Sequence, residues 1–194
     1  MRIISGLARG RKLLTPGKSH SIRPTTDRAR EALFSIIGSK IMSARVLDLY
    51  AGTGALGLEA FSRGAKQVVF IEKQNKALDL IKQNCSLCCM GLKNIQDDDL
   101  LIIRHDLSRG LPLKHPVFEK SKGFDLIFLD PPYTKGLAEE SLLFLDNFEF
   151  LAPTALIIAE ESSSETLPES FSRLTIADQR KYGDTGFWFY KMKN

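Results

Sequence analysis

The chain is poor in cysteine, histidine and long apolar runs, and each shortage closes off a class of protein. Its 194 residues hold three cysteines, three histidines and one tryptophan. The cysteines are odd in number and crowded at Cys85, Cys88 and Cys89, which argues against a disulfide framework. Cys85-x-x-Cys88 has the spacing of half a zinc site, but there is no second Cys pair, and His105 and His115 are poorly placed to complete a set. The thiols instead continue an apolar stripe through Ala77 and Ile81 and read as small buried hydrophobes. No run approaches the ~20 apolar residues of a membrane span. The opening Met1-Arg2-Ile3-Ile4-Ser5-Gly6 lacks the apolar stretch of a secretory signal, so a cytoplasmic location without a membrane partner is expected.

What is present fits one globular domain with a short appendage. Apolar residues make up 43% and charged residues 26%, which sets aside disorder and coiled coil. The net charge of +4 hides an asymmetry. Residues 1–30 carry eight cations (Arg2, Arg9, Arg11, Lys12, Lys18, Arg23, Arg28 and Arg30) against Asp27, a net of +7 that leaves −3 for the rest. Positive charge packed at one end suggests a polyanion, such as nucleic acid, as partner.

Residues 1–26 are basic and broken by Gly6, Gly10, Pro16, Gly17 and Pro24, and are expected to form an arm with a small hairpin. Residues 27–194 are expected to form the main domain. Thr26 or Asp27 can cap a helix running to about Lys40, with Ala29, Leu33, Ile36 and Ile37 on its apolar face and Arg28 and Arg30 on its polar side. Short apolar runs then alternate with helical patterns. Strands are expected at Arg45–Tyr50, Gln67–Glu72, Leu100–His105, Phe124–Leu129 and Ala155–Glu160, and helices at Ala55–Arg63, Gln74–Met90 and Leu137–Asn147. Arg173–Arg180 and Gly186–Met192 suggest a closing hairpin, and 108–123 a long loop. Strands apolar on both faces, alternating with helices, indicate a mostly parallel, Rossmann-like α/β sheet of seven strands covered on both sides.

Two sites stand out. Gly52, Gly54 and Gly57 fit G-x-G-x-x-G between a strand and a helix, where glycines allow a tight turn and close approach of a ligand. Glu72, 20 residues after Gly52 at a strand tip, can accept from both ribose hydroxyls of an adenosine. Asp48 separates the candidate cofactors. It would repel a dinucleotide pyrophosphate but favours the ammonium of S-adenosylmethionine, which has a sulfonium and no phosphate. Asp106, ending the third strand, is placed to accept from the adenine amine, or simply to cap a turn. The second site is Asp130-Pro131-Pro132-Tyr133, directly after the fourth strand. Ligands of open α/β sheets bind outside the carboxyl ends of strands at the switch point, so the two motifs should face each other. Asp130 and the Pro131 carbonyl can each accept one N–H of an exocyclic base amine and aim its lone pair at a methyl group, on a turn stiffened by two prolines. Tyr133 offers a ring on which an extracted base can stack. A single in-line displacement with neutral sulfur leaving calls for no metal.

The chain resembles the class I methyltransferases, and most closely the RsmD-like 16S ribosomal RNA guanine-N2 methyltransferases. The resemblance rests on RIISGLARGRKL (2–13), RPTTDRAREALF (23–34), DLYAGTGALGLEAFSRGA (48–65), DPPY (130–133) and YGDTGFWFYK (182–191). It implies that Asp48, Ala51, Gly52, Thr53, Gly54, Glu72 and Asp106 contact S-adenosylmethionine, with S-adenosylhomocysteine as product. Asp130, Pro131 and Tyr133 would handle a guanine N2 amine of 16S RNA, in a small-subunit particle. Arg9, Arg11, Lys12, Arg23, Arg28 and Arg30 would hold RNA phosphates. A monomer is the default expectation. Four rivals stay open: a DNA adenine-N6 methyltransferase, a protein-glutamine N5-methyltransferase, a nicotinamide oxidoreductase and a non-catalytic RNA-binding module. The first lacks length here for a target-recognition region, the second does not need the basic arm, the third leaves Asp48 and DPPY unexplained, and the fourth leaves both acids without a use.

Overall fold

The computed structural model describes residues 1–16, 27–93, 95–119, 123–133 and 136–193. The elements run α1 (Asp27–Ile37), β1 (Arg45–Leu49), α2 (Ala55–Ser62), β2 (Gln67–Glu72), α3 (Asn75–Cys89), β3 (Leu100–Arg104), α4 (Pro116–Glu119), β4 (Phe124–Leu129), α5 (Leu137–Asp146), β5 (Leu151–Ser162), β6 (Leu174–Tyr182) and β7 (Thr185–Met192). Seven strands form one sheet in the order β3-β2-β1-β4-β5-β7-β6. The first five pair in parallel, and β7 pairs antiparallel with both β5 and β6.

The parallel strands bury side chains on both faces, as their unbroken apolar runs require. Val46, Phe70, Leu126 and Phe128 face a core layer shared with α1, α2 and α3. Leu47, Leu49, Ile71, Ile127 and Leu129 face the opposite layer, built from α5 and the segment around Phe118. β1 has β2 on one side and β4 on the other, so the chain reverses its winding direction there. A crevice opens at the carboxyl ends of strands on either side of such a point.

Some expected boundaries move. The first helix stops at Ile37 and tightens into a 3-10 turn over Gly38–Ile41 rather than running on to Lys40. The expected loop at 108–123 contains α4, pinned because Phe118 packs on Phe124 and Phe148 at 5.7 and 5.8 Å between ring centroids. β5 is longer than Ala155–Glu160, because β7 pairs with it out to Ser162.

The N-terminal segment folds back on itself through an Arg2–Lys12 bridge and backbone bonds from Ile3 to Arg11 and from Leu13 to Met1. Ile3, Ala8 and Leu13 are buried in the same layer as α1 and α2. The Glu59 carboxylate, itself fully buried on α2, accepts from the Ile4 and Ser5 N–H groups at 2.7 and 3.0 Å. Cys88 is buried in this layer, and Cys85 and Cys89 pack against it. Burial pushes the Cys85 thiol up to about 12 and that of Cys88 to about 11, so both stay protonated near neutrality. No helix among the described residues is long and apolar enough to cross a membrane.

Candidate active site

The register of the sheet lines up the ends of four strands. Leu49 pairs with Ile71 and with Leu129, and Leu129 pairs with Ala159. One residue further on, Glu72, Tyr50, Asp130 and Glu160 stand side by side across the switch point. Two motifs that lie 80 residues apart in sequence are thereby brought edge to edge.

The glycine turn is held from below by carboxylates. Asp48 is buried and accepts from the Gly57 N–H at 2.9 Å. Gly57 serves packing: a Cβ there would sit 2.4 Å from the Phe70 ring and 2.7 Å from Val68, preventing α2 from resting on β2. Gly52 differs. Its φ is +55°, and a Cβ would meet nothing closer than the Tyr50 carbonyl at 3.8 Å. Internal packing therefore does not demand a glycine at 52, whereas the backbone conformation favours one. Tyr50, with φ +61°, shares a hydrogen bond with Ser141 Oγ at 2.9 Å and so ties the turn to α5. Ala51 donates to the Ile71 carbonyl at 3.1 Å and closes the turn on β2.

Glu72 is buried and more heavily engaged than its position alone suggested. One oxygen accepts from Gly52 N–H at 3.1 Å, the other from Lys73 and Gln74 N–H at 2.7 and 2.8 Å. A carboxylate has about four acceptor sites. One remains, on the oxygen facing Gly52, so gripping two ribose hydroxyls requires the Gly52 bond to yield. Asp106 does cap a turn: its Oδ1 accepts from Ser108 N–H and Oγ at 3.1 and 2.9 Å. Those bonds, with Lys73 nearby, hold its carboxyl below the usual range.

The second motif begins on a half-buried acid. Among the described residues no group donates a hydrogen bond to the Asp130 carboxylate. Burial first, then the charges of Glu160, Asp48 and Glu161, hold its carboxyl well above the usual range. Pro131 is buried behind it. The Tyr133 hydroxyl donates to Glu160 Oε1 at 2.7 Å and also bonds the Thr185 side chain at the β6–β7 turn, so the ring is pinned at a fixed angle. Burial likewise pushes Asp48 up to about 8, aided by the charge of Glu72 and opposed by the Gly57 bond. Several carboxyls thus lie close together, and Asp48 and Asp130 both have raised proton affinity.

The basic residues divide into two groups. Arg9, Lys12 and Arg28 are exposed. Arg11 and Arg30 are not the free phosphate holders that their sequence positions suggested. Arg11 donates to the Leu87 and Cys88 carbonyls at 2.6 and 2.5 Å and to that of Met90, which caps the carboxyl end of α3. Arg30 is 1% exposed because the folded-back segment covers that side of α1. Its guanidinium bonds the Arg2 carbonyl and Asp27. Arg23 lies outside the described residues.

Sequence reasoning missed Glu160, Glu161, Thr185, Ser141 and Asn84. The two glutamates ended an apolar run in the same manner as Asp48 and Asp130, which was the available signal. The others carry none that local pattern could show.

A family profile described as conserved hypothetical protein 95 matches residues 1–191. The ribosomal RNA small subunit methyltransferase D of Haemophilus influenzae is 38% identical over 176 residues, covering 90% of this chain and 86% of that one. The solved structure of Escherichia coli yhhF superposes with a TM-score of 0.79 at 31% identity, covering 100% of this chain and 98% of that one. An RNA methyltransferase from Salinibacter ruber, solved with S-adenosyl-L-homocysteine, shares the fold at a TM-score of 0.61 and 13% identity over 88% of this chain and 94% of that one.

Proposed function

Because the chain belongs to the conserved hypothetical protein 95 family, the RsmD-like methyltransferases, we propose that it transfers a methyl group from S-adenosylmethionine to the N2 amine of a guanine in small-subunit (16S) ribosomal RNA. The observation that carries this reading is Asp130: a half-buried carboxylate with no donor among the described residues, at the switch point one strand away from the glycine turn.

The residues present suit the cofactor. Gly52 leaves room where a ligand backbone or ribose would lie. The raised proton affinity of Asp48 is relieved by an ammonium beside it, and Glu72 keeps one acceptor site for a ribose hydroxyl. Ala51, Thr53, Gly54 and Asp106 border the same turn. When bound, the cofactor supplies an electrophilic methyl on a sulfonium that departs as a neutral thioether.

Asp130 and the Pro131 carbonyl each accept one N–H of the guanine amine and turn its lone pair toward the methyl. Asp130, whose affinity for protons burial raises, takes the proton that the amine releases and passes it to solvent. Tyr133, pinned by Glu160 and Thr185, presents a rigid ring to the base. Residues 1–26 act as the RNA-contacting arm of a methyltransferase domain spanning 27–194. Arg9 and Lys12 of the arm, with Arg28 in the first turn of α1, meet phosphates, on a monomer working on an assembling small-subunit particle.

The test is a panel of methyl acceptors: labelled S-adenosylmethionine offered with small-subunit RNA, duplex DNA and protein in turn. Label in RNA alone is expected. Label in DNA or protein alone overturns the substrate class while keeping the cofactor.

A further inference from the structure

Asn84 lies on α3, outside both motifs in sequence, and is fully buried. Its amide is saturated. Oδ1 accepts from the Leu14 N–H at 2.7 Å, and Nδ2 donates to the Leu14 carbonyl at 3.1 Å and to the Thr53 carbonyl at 2.9 Å. Leu14 closes the folded-back arm, and Thr53 sits in the glycine turn between two residues of positive φ, Gly52 and Gly54. The arm's other end reaches the same residue: Thr53 Oγ1 lies 3.8 Å from the Met1 sulfur and donates to it. Both ends of the arm therefore meet the turn at Thr53, one directly and one through a side chain with no spare donor.

An amide committed in this way transmits displacement. If a ligand shifts the Thr53 carbonyl, Asn84 either follows and carries Leu14 with it, or leaves buried polar groups unpaired, which is costly. The arm cannot absorb the shift by sliding, because the buried Glu59 and the Ser62 hydroxyl hold its Ile4, Ser5 and Ala8 N–H groups on α2.

We propose that Asn84 is a positioning residue that couples the glycine turn to the basic arm, so that filling the turn with cofactor tightens the hold of the arm on RNA. By reciprocity, RNA on the arm tightens the hold on cofactor by the same factor. The inference rests on the reading that cofactor occupies the turn and RNA the arm.

The test is the affinity of the full chain for transcribed small-subunit RNA, measured with and without saturating S-adenosylhomocysteine, in the wild type and in Asn84→Leu and Asn84→Asp. In the wild type, S-adenosylhomocysteine is expected to tighten RNA binding by about fivefold or more, within the usual range of coupling between sites. In the variants that ratio is expected to fall toward one, while the affinity for S-adenosylhomocysteine alone changes less. A merely structural Asn84 would weaken both affinities and leave their ratio intact, which overturns the proposal. Should neither variant fold, hydrogen exchange at the Leu14 amide of the wild type decides: slowing on addition of S-adenosylhomocysteine supports the link, and unchanged exchange overturns it. Binding of both ligands without any coupling in the wild type overturns the link alone, whereas no binding of S-adenosylhomocysteine at all overturns the functional reading and the link together.

Discussion

The carboxyl rim of the sheet and the basic arm carry opposite charge, and they keep it in opposite ways. At the rim, Asp48, Glu160 and Glu161 are almost wholly buried, and Asp130 stands among them with its proton affinity raised. Burial first, and neighbouring carboxylates second, raise the proton affinity of Asp48 and Asp130. On the arm, Arg9 and Lys12 stand in solvent, while Arg11 and Arg30 have been turned inward to cap α3 and fasten α1. The rim thus carries acids that burial holds partly protonated, whereas the arm uses part of its charge for its own attachment. Counting cations in a sequence overstates the charge that the arm leaves in solvent; counting acids likewise overstates the negative charge at the rim, because Asp48 and Asp130 hold their protons more tightly than ordinary carboxyls do.

The comparison breaks most visibly at Asp130. Asp130→Ala is expected to lower methyl transfer by about 10³-fold, the scale for removing a positioned acceptor and base, with S-adenosylhomocysteine affinity within about threefold of wild type by titration. Loss of both together would mean that Asp130 holds the cofactor instead.

Asp48 sharpens it through pH. The folded carboxyl is raised to about 8 from an ordinary 3.8. Between these values the folded state binds the extra proton, so ionisation costs stability progressively as pH rises from about 4 to 8. The ligand-free protein should therefore lose stability over that window. Asp48→Asn should flatten the curve, raising Tm at pH 8 but not at pH 5, while weakening S-adenosylhomocysteine binding by about 10–100-fold. A variant no more stable than wild type at pH 8 would show that ionising the buried Asp48 carries no such cost.

The arm separates into its two kinds of cation. Arg30→Ala should cost about 2–3 kcal/mol of stability, as truncation of a buried side chain does. Arg9→Glu with Lys12→Glu should leave Tm unchanged but weaken RNA binding and flatten its salt slope by about 1.5. Thermal melts and filter binding across a salt series read both. A stable Arg30→Ala, or an unstable double variant, would reverse the assignment. The smallest effect is expected of Tyr50→Phe, which removes one shared hydrogen bond and should lower kcat/KM by about two- to tenfold.

The parallel strands were legible because burial on both faces leaves an uninterrupted apolar run, and both motifs were legible because each sits directly after such a run. Register was not: nothing local places Asp130 beside Glu160 rather than one step away, since pairing is decided by the packed layers on both faces. Arg11 and Arg30 were misread for a related reason. A basic residue on a short segment is solvated by default, and only the fold-back of that segment over α1 and α3 turns these two inward. Asn84 was invisible because its partners are backbone groups distant in sequence.

Nucleoside analysis of small-subunit RNA labelled by the enzyme, offered both naked and as an assembled particle, tests the central claim most directly. The account predicts label in N2-methylguanosine and its absence with Asp130→Ala. Label in N6-methyladenosine, or N2-methylguanosine formed undiminished by Asp130→Ala, would contradict it.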